Sequence, residues 1–139
     1  MCSSDLIAAR LEPACGAIGI AWQLSDDILD VASESAQSGK TPGTDLREGI
    51  RSLPVLHALR AAGPGDKRLS ELLLTADLTD ESLHSEALRL LRAHPAMDAA
   101  RADLRSWVKV AREEMSVLPD VPARAAFEAL CDYVVDRTG

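Results

Sequence analysis

The chain has 139 residues, 47% of them hydrophobic and only 3% aromatic, with a formal net charge of −7. This length and apolar content support a single folded domain with a real core and exclude a disordered chain. The acidic balance argues against a general affinity for nucleic acid or an anionic membrane surface, and the dominance of Leu and Ala favours helices over strands.

A first helix is predicted from near Ile7 or Ala14 to about Ala32, with Pro13 at its start or at a kink. Its longest apolar run, Ala14 to Trp22, is too short to span a bilayer and contains two glycines. Ser33 to Thr44 is polar, rich in Ser and Gly, and reads as a loop. A second helix is predicted to start near Asp45, with Thr44 or Asp45 as N-cap, and to be regular from Leu53 to Ala62. Ala61-Ala62-Gly63-Pro64-Gly65 is a breaker, and a third helix covers about Asp66 to Ala76. Thr79 or Asp80 caps a fourth helix whose Leu83, Ala87, Leu88, Leu90 and Leu91 face inward. Pro95 marks the next boundary. A fifth helix, about Ala96 to Leu118, carries Ala100, Leu104, Trp107, Val108, Ala111 and Met115 at helical spacing, and Trp107 and Met115 on this stripe read as core. Pro119 and Pro122 separate it from a last helix, Ala123 to Val135. The predicted fold class is all-α, an antiparallel helical bundle.

Three aspartates interrupt the apolar first helix. Asp26, Asp27 and Asp30 are surrounded by Ile20, Ala21, Leu24, Ile28, Leu29 and Val31. Asp26 and Asp30 are four residues apart and share a helix face, where like charges repel. Such an arrangement calls for a counter-charge. Mg²⁺, a hard cation that takes oxygen ligands, is the natural candidate. Asp26 and Asp30 are the principal ligands by this spacing, with Asp27 acting through a metal-bound water. Gln23, one turn before Asp27, is placed to order that shell. Downstream, Gly39-Lys40-Thr41-Pro42-Gly43-Thr44-Asp45 supplies a lysine and a further acid on a loop. Carboxylates for a metal, followed by a cation for an anion, suggest a site for a metal-bound phosphate.

Together these residues resemble a known family. Asp26-Asp27-x-x-Asp30, preceded by Gly19 and Gln23 and followed by Gly39-Lys40-x-x-Gly43-x-Asp45-Leu46 and Leu53-Pro54, is similar to the second aspartate-rich region of the trans-isoprenyl diphosphate synthases, the polyprenyl synthetases. The compound pattern is far more specific than a lone DDxxD. Asp132-Tyr133-Val134-Val135-Asp136-Arg137 also resembles the tail of bacterial members. The resemblance is strong from about Gly16 to Leu59 and looser beyond. It implies the C-terminal part of the isoprenoid synthase (class I terpenoid synthase-like) fold, usually homodimeric. It implies Mg²⁺ as cofactor, and an allylic diphosphate and isopentenyl diphosphate as substrates. Lys40, with Gln23, would meet the allylic diphosphate, and Asp45 would lie in the outer metal shell.

The chain departs from the family in places. Many members have lysine where this chain has Ile50; isoleucine cannot bind phosphate, and Arg51 is the candidate substitute. A first aspartate-rich motif, which family members carry in their N-terminal half, is absent, as no second DDxxD occurs. The expectation is therefore the C-terminal half of an enzyme, inactive alone, with an apolar face exposed and solubility poor. Met1-Cys2-Ser3-Ser4-Asp5-Leu6 is what a GTG start followed by TGC-TCT-TCC-GAT-CT encodes, the tail of a common sequencing adapter. Residues 1–6 are expected to be non-native and the synthetase half-domain to span 7–139.

The remaining candidates read as structural. His57, His84 and His94 lack metal-ligand spacing and are expected at partner or surface positions. Arg101, Arg105, Lys109 and Arg112 alternate with acids and read as a salt-bridged exposed face. Cys2, Cys15 and Cys131 form no CxxC pair and read as reduced, buried thiols of a cytoplasmic protein.

The expected activity is Mg²⁺-dependent head-to-tail prenyl transfer, with Asp26, Asp27, Asp30 and Lys40 as half of the catalytic apparatus. One alternative is a short non-catalytic subunit of a heteromeric synthase. Such a subunit would not need the acid cluster together with Lys40. Another is a piece of a class I terpene cyclase, against which the Gly39-Lys40-x-x-Gly43-x-Asp45 loop speaks.

Overall fold

The structure, a computed structural model, describes residues 3–34 and 41–139. Among the described residues there are seven α-helices, one 3₁₀ turn and no strand. The helices are α1 (Ser3–Ala32), α2 (Thr44–Arg47), α3 (Leu53–Arg60), α4 (Lys67–Thr75), α5 (Glu81–Ala93), α6 (Ala96–Met115) and α7 (Pro122–Asp136), with the 3₁₀ turn at Pro64–Asp66. The all-α expectation holds; Gly63, Pro95 and Pro119 fall between helices, whereas Pro122 is the first residue of α7.

α1 starts earlier than predicted, and Pro13 lies inside it. A proline there removes one backbone hydrogen bond. The surrounding Leu, Ile and Ala residues, good or fair helix formers, carry the helix past it. The predicted second helix is two pieces, separated by Gly49 at φ 74. That left-handed backbone suits glycine and ends α2 after one turn.

The chain divides into two compact units, with boundaries inside α1 and α6. One unit comprises Met1–Ser25 and Ala102–Gly139. Its buried residues include Ala14, Ala17, Ala21, Leu104, Val108, Ala111, Met115, Cys131 and Val134. Arg112 of α6 is paired with Glu128 and Asp132 of α7. Trp22 and Tyr133 stack with centroids 6.1 Å apart, and the Arg137 guanidinium sits 4.5 Å over the Trp22 ring. Trp107 departs from the sequence reading. It is 38% exposed. At 100° per residue it sits about 60° off the line of Leu104, Val108, Ala111 and Met115, on the edge of the buried stripe.

The other unit is Asp26–Arg101. Here α4 packs on α5, α3 touches both, and α2 lies against α5. Ile28, Val31, Leu46, Val55, Ala58, Leu69, Leu72, Ala87, Leu88 and Leu91 fill its core. Asp80 caps α5 as predicted, accepting the Ser82 and Leu83 amides at 2.9 and 3.0 Å. The C-terminal end of α1 is met from α5: Arg92 donates to Val31 O at 2.7 Å and to the O of Ser33, just past the helix, at 2.8 Å. No described helix is long and apolar enough to cross a membrane.

Candidate functional site

The three clustered acids sit on the last turns of α1 and point to different tasks. Asp26 is exposed; Asp27 and Asp30 are half-buried. Asp27 Oδ2 accepts the Leu53 amide at 3.0 Å, at the start of α3. Asp30 Oδ1 accepts the Thr44 amide at 3.1 Å, and its Oδ2 accepts the Asp45 amide at 3.2 Å, at the start of α2. The Asp30 carbonyl also accepts the Gly43 amide at 2.7 Å.

Thr44 and Asp45 were the predicted caps of the second helix. Instead Gly43 is the N-cap and makes no side-chain cap bond. The anion comes from Asp30, fourteen and fifteen residues upstream. Ser52, the N-cap of α3, also makes no side-chain cap bond, and Asp27 takes that role. Carboxylates are favourable there because helix N-termini present unpaired N–H groups and partial positive charge.

Burial pushes the Asp30 carboxyl above its ordinary value, and the Asp45 charge adds to the shift. The two backbone amides pull the other way, and Asp27 contributes a smaller upward push. The result is a negative locus that favours either a proton or a cation.

His84 corrects the sequence reading most clearly. It was expected at the surface or against a partner, yet it is 3% exposed on α5. Its Nε2 lies 2.8 Å from the Gly43 carbonyl, and Arg47 Nη2 lies 3.3 Å from its Nδ1. Arg47 also pairs with Glu81 at 2.9 Å. Sequence spacing gave no sign of this, because the partners are 41 and 37 residues away from His84.

The other candidates fall as follows. Lys40 and Gly39 lie outside the described residues. Gln23, in the other unit, is exposed. Ile50 and Arg51 are both exposed. Asp45 is half-buried and lends its amide to Asp30.

Carboxylate oxygens are hard donors suited to a hard divalent cation. Each Asp30 oxygen spends one bond on an amide and keeps a further lone pair for a ligand. On donor chemistry the cluster fits a metal. Among the described residues, however, no three His, Cys, Asp or Glu side chains converge closely enough to hold one.

Comparison with known proteins adds to this picture. A family model described as polyprenyl synthetase matches residues 1–91. A nonaprenyl diphosphate synthase of Mycobacterium tuberculosis is 47% identical over 137 residues, covering 99% of this chain and 41% of that protein. A short chain isoprenyl diphosphate synthase of Methanothermobacter thermautotrophicus is 36% identical over 130 residues, covering 93% and 39%. Among solved structures, geranylgeranyl pyrophosphate synthase from Corynebacterium glutamicum, complexed with calcium and isoprenyl diphosphate, aligns with a TM-score of 0.82 at 35% identity. That alignment covers 94% of this chain and 40% of that one. The chain thus spans about 40% of the length of the relatives it matches.

Proposed function

The chain belongs to the polyprenyl synthetase family, and from that premise we propose that it supplies one acid-rich half of a head-to-tail prenyl transfer site. Its fold is accordingly the all-α isoprenoid synthase fold. In this reading Asp26, Asp27 and Asp30 contribute carboxylates to a Mg²⁺ shell that diphosphate oxygens and water complete, with Asp45 in the outer shell. Lys40 and Gln23 meet the diphosphate of the allylic substrate. A further polypeptide segment carries the other acids and binds isopentenyl diphosphate.

The observation that carries the reading is the acid cluster on α1, with Asp27 and Asp30 bonded into the segment that carries Gly43, Asp45 and Leu53. The same compound pattern marked the family in the sequence. Calcium and isoprenyl diphosphate together in the Corynebacterium structure support a divalent cation with a diphosphate ligand.

In the reaction the allylic C–O bond breaks, and its electron pair leaves with diphosphate. The double bond of isopentenyl diphosphate attacks the allylic carbon, a C–C bond forms, and a proton is lost. The metal, when bound, supplies positive charge to the departing diphosphate. Asp26, Asp27 and Asp30 fix where that charge sits. Lys40 adds a cation on the same anion. The backbone amides at Thr44 and Asp45 keep the Asp30 carboxylate from rotating.

The test is complementation. The chain is coexpressed with an N-terminal segment of a relative that bears the other aspartate-rich motif. Incorporation of labelled isopentenyl diphosphate into prenyl product is then measured. The chain alone is expected to be inactive, the pair active, and Asp26→Ala in a folded pair to lose at least ~100-fold, as for a charge-stabilising group. A folded pair whose turnover ignores Asp26→Ala would sink the proposal.

A further inference from the structure

A run of hydrogen bonds links α5 to the acid cluster through a residue with no assigned role. His84 Nδ1 faces the Arg47 guanidinium at 3.3 Å. Arginine can only donate, so Nδ1 is the acceptor and the imidazole carries its proton on Nε2. That Nε2–H donates to the Gly43 carbonyl at 2.8 Å. The pairing of Arg47 with Glu81 at 2.9 Å holds the guanidinium in place. Gly43 itself donates to the Asp30 carbonyl, and the next two amides grip the Asp30 carboxylate.

The fit is close. Gly43 has φ 73, and a Cβ there would lie 2.6 Å from His84 Nε2. The imidazole therefore seats against bare backbone, and the Gly43 carbonyl is shared between His84 and the Arg47 amide at 2.9 Å, while α1 holds the Gly43 and Thr44 amides.

We propose that His84 is a positioning residue: it fixes the Gly43 carbonyl, so that the Thr44 and Asp45 amides orient the Asp30 carboxylate for a divalent cation. The role rests on the reading of the acids as a cation site, and it acts through Gly43 rather than on the cation.

Two variants separate the hydrogen bond from mere polarity. In His84→Gln the amide nitrogen reaches the Nε2 position. In His84→Asn an equally polar amide is too short to reach Gly43. The full chain is used, with two readouts: amide hydrogen exchange at Thr44 and Asp45 without metal, and affinity for Mn²⁺ by electron paramagnetic resonance.

His84→Asn is expected to speed exchange at both amides and to weaken Mn²⁺ binding by about tenfold, the low end for a group that orients a metal ligand. His84→Gln is expected to restore both. Unchanged exchange in His84→Asn overturns the proposal at its first link. Faster exchange with unchanged Mn²⁺ affinity overturns the positioning role and leaves the hydrogen bond standing. Wild-type chain that binds no Mn²⁺ overturns the cation site and the positioning role with it, and the exchange data then show that the hydrogen-bonded run exists for the fold alone. Should His84→Asn fail to melt cooperatively, Arg47→Met carries the test by removing the donor that sets the tautomer. It is expected to move both readouts in the same direction, and no movement in either overturns the proposal.

Discussion

The Asp27 carboxylate accepts the Leu53 amide at 3.0 Å across 26 residues of chain. With Asp30 on Thr44 and Asp45, it makes α1 the source of the caps for both short helices that follow. The acids thus have a structural task in addition to the one proposed for a metal. Substitutions at Asp27 or Asp30 will therefore affect folding as well as activity.

Asp27→Ala is expected to cost about 1–2 kcal/mol, the loss of a charged N-cap that leaves the Leu53 amide without its acceptor. Asp27→Asn keeps an oxygen acceptor and should cost less. Urea unfolding of the two variants checks the order, and equal midpoints for all three proteins would refute the capping role.

The two left-handed glycines should respond differently to alanine. Gly49, at φ 74, has open space where a Cβ would go, so Gly49→Ala pays only backbone strain, about 1 kcal/mol. Gly43→Ala adds a collision with His84 and should cost more than ~2 kcal/mol. In a His84→Ala background the excess at Gly43 should shrink toward the Gly49 value. A double-mutant cycle measures this, and additive costs would remove His84 as the cause.

Asp66 gives a pH dependence whose sign can be stated. The Gly63 amide, bonded at 2.8 Å, holds its carboxyl below the ordinary value, and His94 helps. A depressed carboxylate stabilises the fold above its unfolded-state pKa, and that contribution is lost as pH falls through the folded value. Wild type should therefore melt above Asp66→Asn at neutral pH, with the gap closing from about pH 4 downward. A gap that is constant from pH 7 to pH 2 would refute the assignment.

The two described thiols should react in sequence. Cys131 is buried as the sequence suggests, whereas Cys15, expected to be buried as well, is exposed on α1. Burial pushes the Cys131 thiol up, against a smaller downward pull from Arg112. In a Cys2→Ser background at pH 8, Ellman's reagent should titrate one thiol quickly and the second only with unfolding. Two fast thiols would contradict the burial of Cys131.

Much of the architecture was legible because its signals are local. Leu and Ala stripes marked the helices, Gly63-Pro64 broke them, and Asp80 announced its own cap two residues before Ser82. Trp107 was misplaced because an apolar residue at helical spacing can still sit at the edge of the buried stripe. What sequence could not show were links between distant positions. Nothing around Asp30 tells that its carboxylate caps α2, and nothing around His84 tells that it faces Gly43. The acid cluster itself was visible as a motif; the bonds that hold Asp27 and Asp30 were not.

These long-range caps also order events in time. α2 has four residues, far below the ~12–15 at which an isolated helix becomes marginal in water. Its cap arrives from 14 and 15 residues away and that of α3 from 26. Neither cap can form until the last turns of α1 exist. The end of α1 should therefore belong to the folding nucleus, with α2 condensing late. Conservative truncations at Ile28 should give φ-values near ~0.5 or above, and those at Leu46 values near zero. The reverse pattern would mean that α2 forms first and draws the acids to it.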